Sequence, residues 1–238
     1  MNGTHFIYLA DIFCPWCYGF GPVMKQLAAD HPEIPVRVVG GNLISRPMTL
    51  AEDMAANPDL VDFWRSVEKT VGRPLTGAIE AAREGREVRM YSPGADEILV
   101  TLNHMAPGRE LDQLLYLEDL FYLKGIDMFA PEALVEIAAR WGIPAARLEG
   151  ALDTEAALTA TRRNLAEASR LLGEVGSYPS VFLARDNDIH AVSRGFVRYE
   201  TASARVADVM RDMDIEPAGH EGCSFAEDCS TGKGRKRA

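Results

Sequence analysis

The sequence predicts an α/β fold in which a βαβ unit and a later ββα unit are separated by a long helical segment. Three observations support this. A strand, a helix and a second strand follow one another in about the first forty residues, no clear strand appears over residues 49–172, and a strand–turn–strand–helix order follows from residue 180. With 238 residues, 47% of them hydrophobic, the chain is long enough to bury a sizeable core.

The first unit begins with Thr4–Ala10, a short run rich in β-branched and aromatic residues that is typical of a buried strand. A helix is predicted over Tyr18–Ala29, with Pro15 in its first turn, where a missing amide proton costs nothing. Ile34–Gly40 reads as the second strand. A strand–helix–strand unit of this length implies a parallel strand pair.

The middle of the chain has helical composition between clear breaks at glycine and proline. The helix containing Leu114 and Phe121 is apolar on nearly all sides, which predicts a buried central helix. Thr154 is predicted to cap the N-terminus of the last helix of this region. The predicted helices are Asn57–Val71, Ala95–Met105, Arg109–Lys124, Pro131–Trp141 and Thr154–Leu172.

The last unit consists of a predicted strand at Ser180–Ala184, a turn, a partner strand at Ile189–Val192 and a closing helix at Tyr199–Met213. We therefore expect three parts. Residues 1–48 and 173–215 form an α/β domain, residues 49–172 form a helical insertion domain, and residues 216–238 form a flexible C-terminal tail.

Composition excludes several classes of function. Basic side chains number 25 and acidic side chains 35, for a net charge of −10, which argues against a nucleic-acid-binding surface. No stretch is long and apolar enough to span a membrane. No signal peptide is evident before the first strand, so we expect a cytoplasmic protein if Met1 is the natural start.

The pattern with the clearest chemistry is Cys14-Pro-Trp-Cys17, at the point where a strand gives way to a helix. The amide groups of a helix N-terminus stabilise a thiolate on the first cysteine, and the second lies one turn on, close enough to resolve a mixed disulfide. We therefore assign Cys14 as the attacking thiol and Cys17 as the resolving thiol. The alternative is half of a zinc site, which would need two further ligands.

Together with the segment Val175-Gly-Ser-Tyr-Pro179-Ser-Val-Phe182, this motif resembles the DsbA family of the thioredoxin superfamily. Leu120–Asp127 and Pro131–Leu134 are similar to the insertion helices of that family, and the chain most resembles its FrnE-like branch over residues 4–213. The resemblance implies a thioredoxin fold with a large all-helical insertion. It also implies a thiol:disulfide oxidoreductase or isomerase that acts on protein disulfides through Cys14 and Cys17.

The resemblance also implies a cis bond between Tyr178 and Pro179 beside the thiols, where the Tyr178 backbone can pair with an extended substrate. Two departures from the family stand out. Tyr178 replaces the Thr or Val of many relatives, and Tyr8 occupies the position at which thioredoxin-like proteins often bury a carboxylate. The nearby acid is Asp11, which is a candidate proton relay for Cys17, with a solvated aspartate at the strand end as the alternative.

The dipeptide Pro15-Trp16 between the cysteines is a candidate contact for substrates. A histidine there would add positive charge beside the thiolate, so Trp16 predicts a less oxidising couple than a Cys-Pro-His-Cys site. The apolar face of Trp16 would also suit unfolded or peptide partners. The alternative is an exposed aromatic side chain that only covers the disulfide.

A second cysteine pair, Cys223 and Cys229, lies in the predicted tail. The loop between them is short enough to close as a disulfide, and the neighbouring acids disfavour their thiolates. We consider an accessory redox pair that shuttles electrons to Cys14 and Cys17, a structural disulfide, and a metal site with His220 as the three alternatives.

Two other classes of function remain open. Kappa-class glutathione transferases and 2-hydroxychromene-2-carboxylate isomerases have the same arrangement of domains, but typically keep Ser in place of the first cysteine and lack the second. A zinc-dependent or redox-regulated binding module is the non-enzymatic alternative. The expected partners are disulfide-containing or thiol proteins, with glutathione as a candidate reductant; no metal or other cofactor is expected, and the oligomeric state is left open.

Overall fold

The computed structural model describes residues 3–173 and 176–215. The strands are β1 (Thr4–Ala10), β2 (Val36–Gly40), β3 (Met48–Thr49), β4 (Arg89–Met90), β5 (Ser180–Arg185) and β6 (Asp188–Arg194). The helices are α1 (Pro15–Asp30), α2 (Leu50–Ala56), α3 (Leu60–Val71), α4 (Gly77–Arg83), α5 (Ser92–Met105), α6 (Glu110–Tyr122), α7 (Pro131–Arg140), α8 (Ala145–Glu149), α9 (Glu155–Leu172) and α10 (Tyr199–Asp212).

Both ends of the described chain contribute to one four-stranded sheet of order β2-β1-β5-β6. Strand β1 pairs with β2 in parallel and with β5 in antiparallel orientation, and β5 and β6 form an antiparallel hairpin. The predicted parallel pair and hairpin are therefore confirmed. This order places the end of β1, which leads to the cysteines, directly beside the start of β5.

Side chains that alternate along β1 cover the two faces of the sheet. Phe6 and Tyr8 belong to the large core that includes α1, α6 and α10, whereas Ile7 and Leu9 pack with a smaller cluster that includes Ala168 of α9. The sheet is thus covered on both sides, which explains why β1 is almost uniformly apolar rather than alternating.

Helix α9 belongs to the predicted insertion but packs against the sheet. Its apolar residues cover one face of the sheet, although the predicted boundary at residue 172 assigns it to the insertion. The division itself stays a prediction. No helix in the described part of the chain has the length and apolar character that crossing a membrane requires.

The insertion is helical, and it also contains a strand pair that the sequence did not predict: the two-residue strands β3 and β4 pair with each other. The predicted helix Asn57–Val71 begins only at Leu60, and a separate helix, α2, precedes it. Thr49 and Glu52 form a capping box at the start of α2, with the Glu52 amide donating to Thr49 Oγ1 and the Thr49 amide to Glu52 Oε2. This Thr-x-x-Glu pattern was a usable sequence signal for α2.

The predicted central helix is confirmed as α6, whose buried residues include Leu114, Leu117 and Phe121. It packs against α1, so the insertion contacts the helix that carries the cysteine pair. The predicted cap of α9 is also confirmed, because the Thr154 side chain accepts a hydrogen bond from the Ala157 amide at 3.2 Å.

Candidate active site

The cysteine pair lies at the start of α1. Cys14 is the N-cap residue with an extended backbone, Pro15 occupies the first helical position, and the Cys17 amide donates to the Cys14 carbonyl at 2.9 Å. Both cysteines are free thiols. Cys14 is 6% exposed and Cys17 is 0% exposed, so Cys14 is the thiol nearer to solvent. The positions agree with the predicted spacing, and the roles of attacking and resolving thiol stay predictions.

Cys17 accepts two hydrogen bonds, one from a side chain of β1 and one from the main chain of the turn that follows β1. The Asp11 amide donates to Cys17 Sγ at 3.4 Å, and the Tyr8 hydroxyl donates to the Cys17 carbonyl at 3.1 Å. Burial raises the pKa of the Cys17 thiol well above its ordinary value, a hydrogen bond with Cys14 and the negative charges of Cys14 and Glu118 raise it further, and the Asp11 amide opposes this. The neutral thiol of Cys17 is therefore favoured over the thiolate.

Asp11 is buried, with 1% of its surface exposed, so the solvated aspartate considered as an alternative is wrong. Its carboxylate accepts hydrogen bonds from the Phe13 amide at 2.9 Å and the Leu43 amide at 2.8 Å. Burial raises its pKa, while hydrogen bonds from Leu43, Ser92 and Phe13 oppose that rise. The carboxylate thus joins the turn before α1 to the loop after β2, and its role as a proton relay stays a prediction.

The bond between Tyr178 and Pro179 is cis, as the resemblance implied. The register of β1 and β5 pairs Leu9 with Ser180, which places this loop beside the turn that leads to Cys14. The Gly195 amide donates to the Pro179 carbonyl at 2.7 Å and fixes the loop. Within residues 3–173 and 176–215, neither backbone group of Tyr178 has a hydrogen-bond partner.

The Tyr178 side chain ties this loop to the loop after β2. Its hydroxyl accepts a hydrogen bond from the Asn42 amide at 3.1 Å. Gly41 makes the contact tight, because a Cβ atom there would lie 2.7 Å from Asp11 Cβ and 2.8 Å from the Tyr178 ring. Burial raises the pKa of Tyr178 to about 12. The tyrosine that replaces the usual Thr or Val therefore has a structural partner of its own.

We give the name apolar rim to three apolar side chains: Trp16, which stands between the two cysteines in the sequence, Phe196, which packs on Trp16, and Leu43, whose amide donates to Asp11. Trp16 is half-buried and its ring packs against that of Phe196, with 5.4 Å between centroids. Leu43 is 49% exposed, and its backbone amide donates a hydrogen bond to the Asp11 carboxylate. Both interpretations of Trp16 remain compatible with this packing, since the ring covers the site and also presents apolar surface.

The zinc alternative needs additional ligands near Cys14 and Cys17. Within the part of the chain that the structure describes, no group of three or more His, Cys, Asp or Glu side chains is arranged to hold a metal ion. Cys223, Cys229 and His220 lie outside the described residues, so the three alternatives for that pair stay predictions.

Sequence reasoning missed one residue near the cysteines, Glu118 of α6, which is completely buried. A signal was available: Glu118 lies four residues after Leu114 and three before Phe121, so it shares their buried face. It also missed the contacts made by Tyr8 and Leu43, for which the sequence carries no local signal because they arise from tertiary packing.

Comparison with known proteins identifies the fold. No family model matches the chain, and a comparison with curated proteins gives no match. Among solved structures, a protein from Nitrosomonas europaea assigned provisionally as a protein disulfide isomerase has a TM-score of 0.75 at 21% identity, covering 89% of this chain and 99% of its own.

Two further structures are similar over most of the chain. The cytosolic disulfide reductase DsbM from Pseudomonas aeruginosa has a TM-score of 0.68 at 20% identity and covers 87% of this chain and 98% of its own; it has also been solved with glutathione. A 2-hydroxychromene-2-carboxylate isomerase has a TM-score of 0.58 at 15% identity, covering 88% and 98%. The chain therefore has the thioredoxin fold with a helical insertion that these DsbA-like proteins share.

Proposed function

We propose that this protein is a thiol–disulfide oxidoreductase that exchanges disulfides with protein or small thiol substrates through Cys14 and Cys17. The observation that carries the proposal is the asymmetry of the pair: Cys14 occupies the N-cap position of α1 with 6% of its surface exposed, while Cys17 is fully buried one turn later. The cis-proline loop beside them supports the same function.

The first turn of α1 contains no acidic residue, so the positive end of the helix acts on Cys14 without an opposing charge from that turn. In the reductive direction the Cys14 thiolate attacks a substrate disulfide, forms a mixed disulfide and releases one substrate sulfur as a thiolate. Cys17 then loses its proton and attacks Cys14 Sγ; the Cys14–Cys17 bond forms, the mixed disulfide breaks, and the second substrate sulfur leaves. The protein gives up two electrons and the substrate gains them.

The backbone groups of Tyr178 have no hydrogen-bond partner among the described residues, which supports binding of an extended substrate segment beside the thiols. The apolar rim of Trp16, Leu43 and Phe196 suits the apolar side chains of such a segment. Glutathione is the proposed reductant, since a protein of the same fold has been solved with it, and the proposed location is the cytoplasm.

The alternative function, a kappa-class glutathione transferase or 2-hydroxychromene-2-carboxylate isomerase, is less well supported. Those enzymes typically keep Ser in place of the first cysteine, whereas this chain has both cysteines. We also propose that the chain belongs to the FrnE-like branch of the DsbA family. An accessory redox role for Cys223 and Cys229 is a further part of the proposal, which turnover of a Cys223→Ser/Cys229→Ser variant would test.

Reduction of insulin with glutathione as the electron donor tests the proposed function. We expect the wild-type chain to catalyse it, Cys14→Ser to abolish it, and Cys17→Ser to stop turnover while accumulating mixed disulfides. Ser193→Ala, a buried position on the edge strand β6 that carries no thiol, is the control for a general effect of substitution. Full activity of Cys14→Ser would refute the proposal.

A further inference from the structure

A carboxyl from the helical insertion is buried behind the cysteine pair. Glu118 lies on α6 with none of its surface exposed. Neither of its carboxylate oxygens has a hydrogen-bond partner among the residues that the structure describes. A lone buried carboxylate is costly to remove from water, so such a group favours its neutral, protonated form.

Gly21 shows which face of α1 this carboxyl approaches. A Cβ atom at Gly21 would lie 3.8 Å from Glu118 Oε2 and would overlap the side chain of Leu115. Gly21 follows Cys17 by four residues, so the two share one face of the helix, and their Cβ positions lie about 5–6 Å apart. The Glu118 carboxyl therefore covers the face of α1 that carries the resolving cysteine, within roughly 10 Å of it.

Arg73 is the cation that lowers the pKa of this carboxyl, but it donates its hydrogen bonds to other groups. Arg73 donates from Nη1 to the Tyr18 carbonyl at 2.7 Å and from Nη2 to Asp119 Oδ1 at 2.9 Å. Its guanidinium also lies over the Tyr18 ring, 3.8 Å from the centroid. Arg73 thus moderates the field around Glu118 without forming a hydrogen bond to it.

The other titratable groups that act on Glu118, or on which it acts, are all acids. Burial is the main cause that raises the pKa of Glu118 well above its ordinary value, Arg73 opposes it, and negative charge nearby raises it further. Glu118 in turn raises the pKa of the Cys17 thiol. Arg73 lies on the loop after α3, and the acids come from β1 and its turn, from α1 and from α6: Tyr8, Asp11, Cys14, Cys17, Tyr18, Asp119 and Tyr122.

We propose that Glu118 and the Cys17 thiol form one coupled acid pair that holds a single negative charge in the buried half of the site. The inference rests on the proposed exchange function. It places the buried acid that is coupled to Cys17 on α6 of the insertion, and not on β1, where Tyr8 occupies the position of the carboxylate that thioredoxin-like proteins often bury. Resolution by Cys17 then proceeds while Glu118 carries the proton, because two charges so close in a buried site repel each other. Glu118 acts on the thiol through its charge and is a positioning residue.

The pH dependence of the resolving step tests this pair. Reduced protein is mixed rapidly with glutathione disulfide, and acid quenching with mass analysis follows the decay of the Cys14–glutathione mixed disulfide. In Glu118→Gln, which lacks the charge, the midpoint of the pH–rate profile should fall by about one unit, so that decay below the wild-type midpoint is about tenfold faster. Glu97→Gln is the matched control, because Glu97 is also buried in the insertion but binds the Asp153 amide.

Superimposed profiles of Glu118→Gln and the wild-type chain would overturn the coupled pair while leaving the exchange function intact. Failure of the wild-type chain to form any mixed disulfide would instead refute the exchange function. A second measurement needs no exchange and uses a second variant: carbon-13 NMR of the Cys17 β-carbon in reduced wild-type protein and in Glu118→Leu. Removal of the Glu118 charge should lower the pH at which the Cys17 thiol titrates, and identical titrations would overturn the pair.

Discussion

The backbone amide of Asp11 donates a hydrogen bond to the sulfur of Cys17 at 3.4 Å. Asp11 thus contacts Cys17 through its main chain, while its carboxylate accepts hydrogen bonds from the amides of Phe13 and Leu43. An amide donor stabilises a thiolate without accepting its proton. The turn between β1 and α1 therefore supports the charge on Cys17, and the residue type at position 11 matters first for joining that turn to the neighbouring loop.

A substitution at Gly41 tests whether the loop after β2 must lie close to Asp11 and Tyr178. In Gly41→Ala the new methyl group would press on Asp11 Cβ and the Tyr178 ring, at 2.7 and 2.8 Å, so one of them must move. We expect a loss of about 1–3 kcal/mol in the free energy of unfolding and a lower exchange rate, because the cis-proline loop shifts away from the cysteines. Urea denaturation and insulin reduction measure the two effects.

Gly150→Ala is the control for that substitution, since a Cβ atom at Gly150 meets only the Ala146 carbonyl, at 3.1 Å, in a helix end far from the cysteines in the sequence. Unchanged stability and activity in Gly41→Ala would show that the loop contact does not position the site.

Asp96 predicts a pH dependence of stability. Burial raises its pKa from 3.8 to about 8, so between those values the folded chain binds a proton that the unfolded chain has lost. Stability must then fall as pH rises through this window, by up to about 1.4 kcal/mol per pH unit, and level off above it. Asp96→Asn keeps an acceptor for Asn164 and should reduce this slope by the Asp96 contribution, leaving a more stable protein at pH 8.

Urea denaturation of both proteins between pH 4 and pH 8 measures the slope set by the two pKa values. The exposed Asp62→Asn serves as the control and should keep the wild-type slope. An Asp96→Asn variant whose stability falls with pH as steeply as that of the wild-type chain would contradict the assignment.

The apolar rim predicts a difference between kinds of substrate. Trp16→Ala removes the ring that packs on Phe196 and should raise KM for a peptide disulfide severalfold, while the rate with glutathione disulfide changes less, because a small thiol needs little apolar contact. Trp16→Phe retains an aromatic ring and is the matched control. An equal loss with both substrates would indicate that Trp16 acts by covering the cysteines.

Particular elements show how far sequence reasoning reached. The strands of the sheet and α6 were predicted because their apolar patterns depend on local periodicity, and Cys14 and Cys17 because their spacing carries the chemistry. The short helices α4 and α8 were missed, since seven and five residues give too little periodicity to detect. The position of Glu118 behind Cys17 depends on how the insertion packs on α1, a contact that joins residues far apart in the sequence.

The most direct test of the central claim is the redox equilibrium of Cys14 and Cys17 in a series of glutathione and glutathione disulfide mixtures. Acid quenching, alkylation and peptide mass analysis resolve each cysteine, so that Cys223 and Cys229 do not interfere. We expect a reversible two-electron transition in which a Cys14–Cys17 disulfide forms, with a Cys14–glutathione adduct as the intermediate. The absence of a Cys14–Cys17 disulfide at every ratio, or an adduct that accumulates on Cys17 instead of Cys14, would contradict it.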